Sequence, residues 1–553
     1  MIDPRVGKPS SDDVQACLTD LYQITMLYAY WCNNKHLDKA NFEVTFRKNP
    51  FDGTFCVLAG VDEVVRLANT FHYTTAQIDF LRQQIPQAPD TFWMYIAQLD
   101  CSEVKLVGVL EGTIVFAKEP VLQVHGPLGV CQLLETPILA LLNFASLVAT
   151  NAARFRIAAG PDKSLVEFGL RRAQGPNGGL SSSKYSYLGG FDATSNVLAG
   201  FRFGIPVAGT MAHSFVTSFE SLEQIEDHRV QYYKMDSQFI PLLKDMRRLF
   251  FEKCASALQL DASLPNEGEL AAFAAFALEF PETFSALVDT YSTEVSGIPN
   301  FIIVMLALRE YGYTQGGIRL DSGDLCYLSR RVRSILKTAS VVLDFPELAV
   351  ATITASNNIN EDVLYSLSQQ GHEIDTFGIG THLVTCQAQP ALGMVYKLSE
   401  LNGRPVMKLS QDIDKATMPG NKALYRFFND DDTPILDLVL SASETPPEPR
   451  ERFFCQHLTD MSKRCYAIPQ KVVPLLVTIW DGKLADEYLT FWEEDHHEYL
   501  KVARQRCAFQ LRRMRQDHLR HLNPTPYKIS ASAAYAQLFK KHWDDTSPVE
   551  TIR

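Results

Sequence analysis

The amino-acid sequence predicts an α/β protein built around a closed barrel of parallel strands. From residue 151 onward, short apolar runs alternate with longer helical stretches, and each run leads into Gly, Ser, Asn, Thr or a charged residue. Near-continuous apolar strands separated by helices are typical of a parallel sheet that is covered on both faces. In a barrel of this kind the active site lies at the carboxyl ends of the strands. The predicted strands span 165–169, 206–210, 317–321, 349–355 and 374–378.

The residues before the barrel, 1–150, predict a mixed α/β domain. A helix begins near residue 20, with Thr19 or Asp20 as its N-cap, because apolar residues follow at helical spacing. Alternation of apolar and polar residues predicts a strand over 40–47, and further strands follow over 104–117 and 121–124. The apolar segment 129–150 contains Glu, Pro and Asn, which favours a buried helix over a membrane span.

The barrel domain is predicted to span 151–400 and a C-terminal region 401–553, which partly completes the N-terminal domain. A long insert, 214–313, has a mostly helical composition. The C-terminal region contains breaker-rich turns and then a basic helix over 499–521. The arginines of this helix are interpreted as a solvated face, with a partner surface as the alternative.

The composition narrows the class of protein. The chain has 553 residues and a net charge of -12, which argues against a general nucleic-acid coat. Its 11 cysteines are scattered, odd in number and without a C-x-x-C pair, which predicts a reducing compartment such as the cytosol. The N-terminus has no apolar core behind it, so we expect no signal peptide.

Two motifs at predicted strand ends carry reactive side chains. His213, in G-T-M-A-H-S, is placed to act as a base, a ligand or a phosphoryl acceptor, although a hydrogen-bonded structural histidine would fit the same pattern. Arg319, in R-L-D-S-G-D, can hold a phosphate or carboxylate through its fork of N–H groups. Asp321 and Asp324 could hold Mg²⁺, mostly through water, or could simply form a capped turn.

Two further motifs predict phosphate contacts. F-G-I-G-T-H at 377–382 has glycines that let the backbone approach an anion, and S-N-N at 356–358 follows the preceding strand. E-F-G-L-R-R at 167–172 places two arginines after a buried strand, and the glycines that follow suggest a loop that opens and closes. Each motif alone also fits an ordinary turn. Together, on one rim, they predict a site for a polyanion with Mg²⁺ and a nucleophile.

Read in order, these motifs resemble the nicotinate phosphoribosyltransferase family, and 187–214 is similar to its animal members in particular. L-T-D-L-Y near the start also matches, and the resemblance runs from about Leu18 past Lys397. It implies the type II phosphoribosyltransferase fold: an irregular α/β barrel, an N-terminal mixed α/β domain, a C-terminal extension and a homodimer. It also implies transfer of the ribose-phosphate of phosphoribosyl diphosphate (PRPP) to nicotinate, with Mg²⁺ as cofactor and ATP as co-substrate.

The resemblance implies roles for individual residues. Tyr22 would stack on the nicotinate ring from the other subunit, and Phe191 receives no such role. Thr210 and Arg319 would hold the carboxylate of nicotinate, and Asp321 would orient the ribose or its Mg²⁺, either directly or through water. His213 matches the histidine that such enzymes phosphorylate from ATP. The residues implied to hold the phosphates of PRPP are Arg171, Asn357, Gly380 and Thr381.

Three alternatives remain open. The related nicotinamide phosphoribosyltransferases have an Asp that accepts the amide of nicotinamide, and the aligned position here is Ser195, with Asp192 close by. A carboxylate there would repel nicotinate, whereas Ser would not. Quinolinate phosphoribosyltransferases have shorter chains and lack the histidine motif. A non-catalytic nucleotide-binding relative would be expected to lose His213, Arg319 or Asp321, and all three are present.

Overall fold

The computed structural model describes residues 3, 5–225, 239–409, 416–457, 460, 462–490 and 496–547. The helices are α1 (Leu21–Cys32), α2 (Val61–Thr70), α3 (Thr75–Gln84), α4 (Asp90–Gln98), α5 (Leu128–Leu133), α6 (Glu135–Ala159), α7 (Gly175–Gly189), α8 (Val197–Phe203), α9 (His213–Val216), α10 (Phe239–Leu258), α11 (Glu267–Glu279), α12 (Ile298–Glu310), α13 (Leu325–Val342), α14 (Glu361–Gln370), α15 (Thr381–Val384), α16 (Asp486–Leu489), α17 (His496–Arg513) and α18 (Ala533–Thr546).

The strands form three six-stranded sheets and one two-stranded sheet within these residues. They are β1 (Lys39–Phe46), β2 (Cys56–Val57), β3 (Lys105–Val109), β4 (Ile114–Val115), β5 (Leu122–Pro127), β6 (Ser164–Glu167), β7 (Ala193–Thr194), β8 (Ser285–Leu287), β9 (Gly317–Leu320), β10 (Thr352–Ser356), β11 (Thr376–Ile379), β12 (Met394–Leu401), β13 (Arg404–Pro405), β14 (Lys422–Phe428), β15 (Pro434–Ser441), β16 (Phe453–Gln456), β17 (Arg464–Ala467), β18 (Lys471–Pro474), β19 (Leu476–Asp481) and β20 (Ile529–Ala531).

The first sheet joins distant parts of the chain in the order β13-β12-β1-β5-β3-β19. All its pairings are antiparallel, and two of them join strands of the N-terminal 150 residues to strands that come more than 340 residues later. Helix α1 begins directly after Asp20, which is its N-cap. The Gln23 side chain accepts the Asp20 backbone N–H at 3.3 Å, which stabilises this helix start.

Helix α6 is the apolar segment that composition singled out. It is long and apolar enough to cross a membrane, but 72% of its most apolar window is buried inside the protein. Its buried residues pack against α2 and α7, among other elements, and the helix links the N-terminal core to the parallel sheet. The expectation of a buried helix agrees with this packing.

The second sheet has the order β7-β6-β11-β10-β9-β8, and all its strands are parallel. The prediction of a closed barrel is wrong in this respect, because β7 and β8 remain at opposite edges. The predicted strand 206–210 forms only one bridge, between Val207 and Thr194. Pro206 has no N–H for a ladder, so the segment extends the sheet by that bridge alone. A cavity of about 300 Å³ is lined by residues near both edges of the sheet, among them Gly209 and Ser285.

Two local predictions in this half also need correction. The glycine-rich stretch after Arg172 is helix α7, and it is not an open loop. A Cβ at Gly189 would lie 2.3 Å from the Ala149 carbonyl oxygen, so small residues here permit close packing on α6. The insert 214–313 is helical in α10, α11 and α12, but it also supplies β8. Residues 226–238 of that insert lie outside the described residues.

The third sheet, β17-β16-β20-β15-β14-β18, belongs to the C-terminal region. The basic helix is α17, and it ends at Arg513 instead of continuing to residue 521. Arg504 donates to the Tyr187 and Phe191 carbonyl oxygens and to Asp192, and Arg513 pairs with Asp432 at 2.9 Å. Arg504 therefore fixes the helix to the protein, whereas Arg512 is exposed, so the solvated face that we expected is present only in part.

Candidate active site

A polar pocket of about 180 Å³ opens at the carboxyl ends of β6, β9, β10 and β11. The edge of a parallel sheet where the carboxyl ends of strands meet is the usual place for a site in α/β folds. The pocket brings together most of the motifs that the sequence singled out. Its lining residues are Phe168, Arg171, Arg172, Arg319, Asp321, Ser356, Asn357, Asn358, Ile359, Gly378, Gly380, Thr381 and His382.

Arg319 is the organising side chain of this pocket. It projects from β9 and donates three hydrogen bonds: Nε to Ser356 at 2.8 Å, Nη1 to Thr210 at 3.1 Å and Nη2 to Asp321 at 3.0 Å. Its guanidinium carbon lies 5.2 Å from the centre of the Phe168 ring. An arginine carries five N–H donors, so the guanidinium keeps donors for a bound carboxylate or phosphate.

Asp321 connects this arginine to His213. Burial alone would oppose ionisation of Asp321, but the hydrogen bond from Ser356 and the charge of Arg319 outweigh it, so the pKa of Asp321 lies below its ordinary value. Its second carboxylate oxygen lies 3.5 Å from His213 Nε2. His213 Nδ1 lies 3.0 Å from the Thr290 hydroxyl. The imidazole is therefore oriented from both sides, and its side chain remains 44% exposed.

Asp289 is a site residue that the sequence analysis missed. It follows β8, and one of its carboxylate oxygens accepts the backbone N–H of Asp321 at 3.1 Å and the hydroxyl of Ser322. Its other oxygen is buried without a hydrogen-bond partner among the described residues. The signal available in the sequence was the apolar run 284–288 followed by Asp and Thr, which lay inside an insert that we interpreted as helical.

The backbone on the opposite side of the pocket has an unusual shape. Asn357 and Asn358, directly after β10, have φ angles of 120° and 49°. Non-glycine residues hold such conformations only where the surroundings determine them, and they cluster at functional sites. Gly378 lies against the Phe168 ring, where a Cβ would come within 2.3 Å of a ring carbon. Gly380 precedes α15, and Thr381 begins it.

The arginines on the rim are free to meet a ligand from solvent. Arg171 and Arg172 lie in the turn after β6, and both are exposed. That turn is held from below by the buried Glu167, whose carboxylate accepts hydrogen bonds from Ser183 and Thr194 at 2.8 and 2.6 Å. Exposed arginine side chains on a fixed turn are suited to binding a polyanion such as a diphosphate.

Four predicted site residues lie outside the lining of this pocket: Thr210 and His213, which contact Arg319 and Asp321, and Tyr22 and Ser195. Tyr22 is in the first turn of α1 and is 47% exposed. Ser195 follows β7, where its backbone N–H donates to the Glu167 carbonyl oxygen at 2.9 Å. Asp192, at the other end of β7, is fully engaged, because Arg156, Arg504 and the Leu165 backbone N–H all donate to its carboxylate.

The fold and this pocket define an α/β protein whose polar, arginine-lined site is suited to an anionic ligand. Comparison of the chain with known proteins identifies its family. The N-terminal domain model of the nicotinate phosphoribosyltransferase family matches residues 17–143, and its C-terminal domain model matches 421–539. Nicotinate phosphoribosyltransferase 1 of Arabidopsis thaliana is 47% identical, covering 98% of this chain and 96% of that protein. The Homo sapiens nicotinate phosphoribosyltransferase is 43% identical, over 93% and 94% of the two chains. The chain belongs to the nicotinate phosphoribosyltransferase family, and we assign it that enzymatic activity.

The solved structures agree with the sequence relatives. The crystal structure of the human nicotinic acid phosphoribosyltransferase matches with a TM-score of 0.82 and 40% identity, over 95% of this chain and 99% of that chain. A nicotinate-nucleotide pyrophosphorylase from Pyrococcus furiosus matches with a TM-score of 0.57 at 22% identity, over 91% and 97%, which shows the fold alone. The chain is thus a mixed α/β protein of the type II phosphoribosyltransferase fold whose parallel sheet is not closed. The resemblance inferred from the motifs is confirmed, to plant as well as animal members.

Proposed function

We propose that the pocket binds PRPP and nicotinate and joins them to nicotinate mononucleotide and diphosphate, with ATP hydrolysed to ADP and phosphate. This is the first step of NAD synthesis from nicotinic acid. The observation that carries the proposal is the Arg319 side chain, which joins Thr210, Asp321 and Ser356 at the mouth of one pocket. Arg319 and Thr210 hold the nicotinate carboxylate. Arg171, Asn357, Gly380 and Thr381 hold the phosphates of PRPP.

The reaction moves one electron pair onto the leaving group. The pyridine nitrogen of nicotinate forms a bond to the anomeric carbon of the ribose, and the bond from that carbon to diphosphate breaks. Positive charge develops on the ribose and negative charge on the diphosphate. The protein therefore acts by aligning the two substrates and by neutralising the departing diphosphate with arginine and backbone N–H groups. Asp321, which is ionised and fixed by Arg319, orients the ribose.

The carboxylates beside the pocket fit a magnesium ion. Asp289 has one buried carboxylate oxygen without a hydrogen-bond partner among the described residues. Its other oxygen accepts the backbone N–H of Asp321, which places the two residues side by side. Within the same residues, no group of three or more His, Cys, Asp or Glu side chains could hold a metal alone. Magnesium usually combines one or two carboxylates with substrate phosphates. When bound, it would neutralise diphosphate charge, and Asp321 and Asp289 would hold it directly or through water.

His213 is the proposed acceptor of the ATP γ-phosphate. Its Nδ1 is oriented by Thr290, so Nε2, on the side of Asp321, is the nitrogen that forms the new bond while ADP leaves. Water then hydrolyses the phosphohistidine, which releases phosphate and restores the free imidazole. Incubation with γ-labelled ATP should give acid-labile, base-stable label in the wild type and none in His213→Ala. Label retained in that variant would show that the phosphate resides elsewhere.

Specificity for nicotinate follows from the end of β7. Ser195 is uncharged, and the carboxylate of Asp192, at the other end of the strand, is occupied by Arg156 and Arg504. A carboxylate at 195 would repel nicotinate and accept an amide N–H. Ser195→Asp should therefore raise the ratio of nicotinamide to nicotinate use at least tenfold. Asp192→Asn is the matched control, and a ratio that changes only in the control would reverse the assignment.

The assembly and location remain part of the proposal. Tyr22 and Leu21 are exposed on α1, at 47% and 57%, and are accessible to a second subunit. We propose that a homodimer brings Tyr22 onto the nicotinate of the partner subunit. We also propose that the chain divides into an N-terminal domain over 1–150, a barrel domain over 151–400 and a C-terminal region over 401–553. The eleven thiols, none of them in a disulfide, support the cytosol as location.

A further inference from the structure

The loop that follows β10 forms one wall of the pocket. Ser356, Asn357, Asn358 and Ile359 all line the pocket, and the two asparagines have positive φ angles. Ile359 is buried, but the asparagines are exposed. Because two consecutive residues occupy a backbone region that L side chains rarely adopt, something beyond the loop must hold its shape.

The loop ends at helix α14, and that helix start is held in place from two directions. Asn360 is the N-cap, and its side chain accepts the Val363 N–H at 2.8 Å. The next residue, Glu361, accepts a hydrogen bond from Arg154 Nε of α6 at 2.8 Å. On the other side, His521 of the C-terminal region contacts the same carboxylate.

His521 lies between two carboxylates. Its Nδ1 is 2.9 Å from Glu361 Oε1, and its Nε2 is 2.7 Å from Asp362 Oδ1. Ionised carboxylates only accept hydrogen bonds, so the ring donates to both when it is protonated. The ring also packs on Tyr365, with centroids 4.7 Å apart. His521 thus connects to three residues in the first two turns of α14.

The network is shielded enough to matter energetically. The side chains of Arg154, Glu361 and His521 are 7%, 16% and 23% exposed. Charge-assisted hydrogen bonds at such positions are stronger than those of exposed ion pairs, which contribute little. Only Asp362 is largely exposed, at 77%. Glu361 is therefore the anchor, four residues along the chain from Asn357.

We propose that His521 is a positioning residue for PRPP: through Glu361, and together with Arg154, it holds the Ser356–Asn360 loop in the shape that binds the phosphates. The inference rests on the proposed role of Asn357 in PRPP binding. His521 is not among the residues that line the pocket. It gives the C-terminal region a part in the reaction that sequence reasoning did not supply, because His521 and Glu361 are 160 residues apart.

The first test compares three variants of the full-length enzyme. In His521→Ala, KM for PRPP should rise about tenfold, equivalent to about 1.4 kcal/mol, while KM for nicotinate stays within twofold. His521→Arg, which supplies donors to both carboxylates, should restore most of the PRPP affinity. His542→Ala, on α18, is the matched control and should resemble the wild type.

A merely structural role for His521 would give a different pattern. It would lower the melting temperature and the active fraction, and so kcat, without a selective change in KM for PRPP. That pattern overturns the proposal. If His521→Ala does not fold, Glu361→Gln provides the same comparison, because it keeps the volume and weakens the bonds to both Arg154 and His521. An unchanged KM for PRPP in folded Glu361→Gln contradicts the proposal equally.

The second test asks whether His521 acts through Asn357. Glycine adopts a φ of 120° without strain, so Asn357→Gly removes both the amide that the loop positions and the backbone strain at this residue. The tenfold effect of His521→Ala should shrink to about twofold in the Asn357→Gly background. Full additivity would show that His521 acts elsewhere. If Asn357→Gly alone leaves KM for PRPP unchanged, the proposed PRPP site fails. If it raises KM but His521→Ala does not, only this inference fails.

Discussion

Arg319→Lys is the substitution that should separate charge from geometry in the pocket. The side chain of Arg319 bonds Thr210, Asp321 and Ser356, which come from three separate segments, and it is only 15% exposed. Lysine keeps the charge but has a single ammonium group without the planar fork. It can retain the attraction to Asp321, but it cannot also reach Thr210 and Ser356 in the same plane.

The expected cost follows from the bonds that are lost. The two bonds from the charged guanidinium to the Thr210 and Ser356 hydroxyls contribute at least about 1 kcal/mol each, and weakening of the ion pair with Asp321 adds about 1 kcal/mol. A total of about 3 kcal/mol corresponds to a fall in kcat/KM of about 100-fold. Steady-state kinetics with nicotinate varied at saturating PRPP measures it, with the melting temperature as control for folding. A folded Arg319→Lys enzyme within threefold of the wild type would refute the reasoning, because charge alone would then suffice.

Three further predictions concern neighbouring groups. Gly378→Ala places a Cβ against the Phe168 ring, which should destabilise the protein by about 1–3 kcal/mol and lower kcat/KM. Gly178→Ala, where a Cβ makes only ordinary contacts in α7, should have neither effect. Urea unfolding of both variants, together with their kcat/KM, tests this prediction. Asp289→Asn should raise the Mg²⁺ concentration for half-maximal activity at least fivefold, and an unchanged Mg²⁺ titration would remove Asp289 from the metal site. Burial raises the pKa of Glu269 to about 7, against its hydrogen bonds from Ser296 and Asn300. The folded state then binds this proton more tightly than the unfolded chain, whose value is 4.5, so the free energy of unfolding falls as pH rises between these values, by at most about 3 kcal/mol. Glu269→Gln should lack this fall in urea titrations at pH 5 and pH 8, and parallel changes in both proteins would contradict the buried-acid explanation.

Sequence reasoning located the strands that carry the pocket because buried parallel strands leave a local signature. The predicted runs at 165–169, 317–321 and 374–378 overlap β6, β9 and β11, respectively. The polar residues that follow these strands meet at one edge of the sheet, because the strands are parallel and their carboxyl ends lie together. The same reasoning failed at 206–210, where an apolar run beside Pro206 forms a single bridge instead of a ladder.

What the sequence could not show depends on contacts between distant residues. The glycines of α7 suggest a flexible loop in the sequence. In the structure they permit close packing, because a Cβ at Gly189 would lie 2.3 Å from the Ala149 carbonyl oxygen. Asp289 follows a three-residue strand, which is too short to give an alternating pattern. The arginines of α17 suggest a solvated face, yet Arg504 donates to two carbonyl oxygens more than 300 residues away. In each case packing between segments decides the outcome.

The central claim is that one pocket joins nicotinate to PRPP with help from a phosphorylated His213. The most direct measurement supplies the purified protein with PRPP and Mg²⁺, and with either nicotinate or nicotinamide, with and without ATP. Mononucleotide and diphosphate are followed in the wild type and in His213→Ala. The account predicts product from nicotinate, more of it with ATP in the wild type, and no ATP effect in the variant. Product mainly from nicotinamide, or an equal ATP effect in His213→Ala, would contradict it.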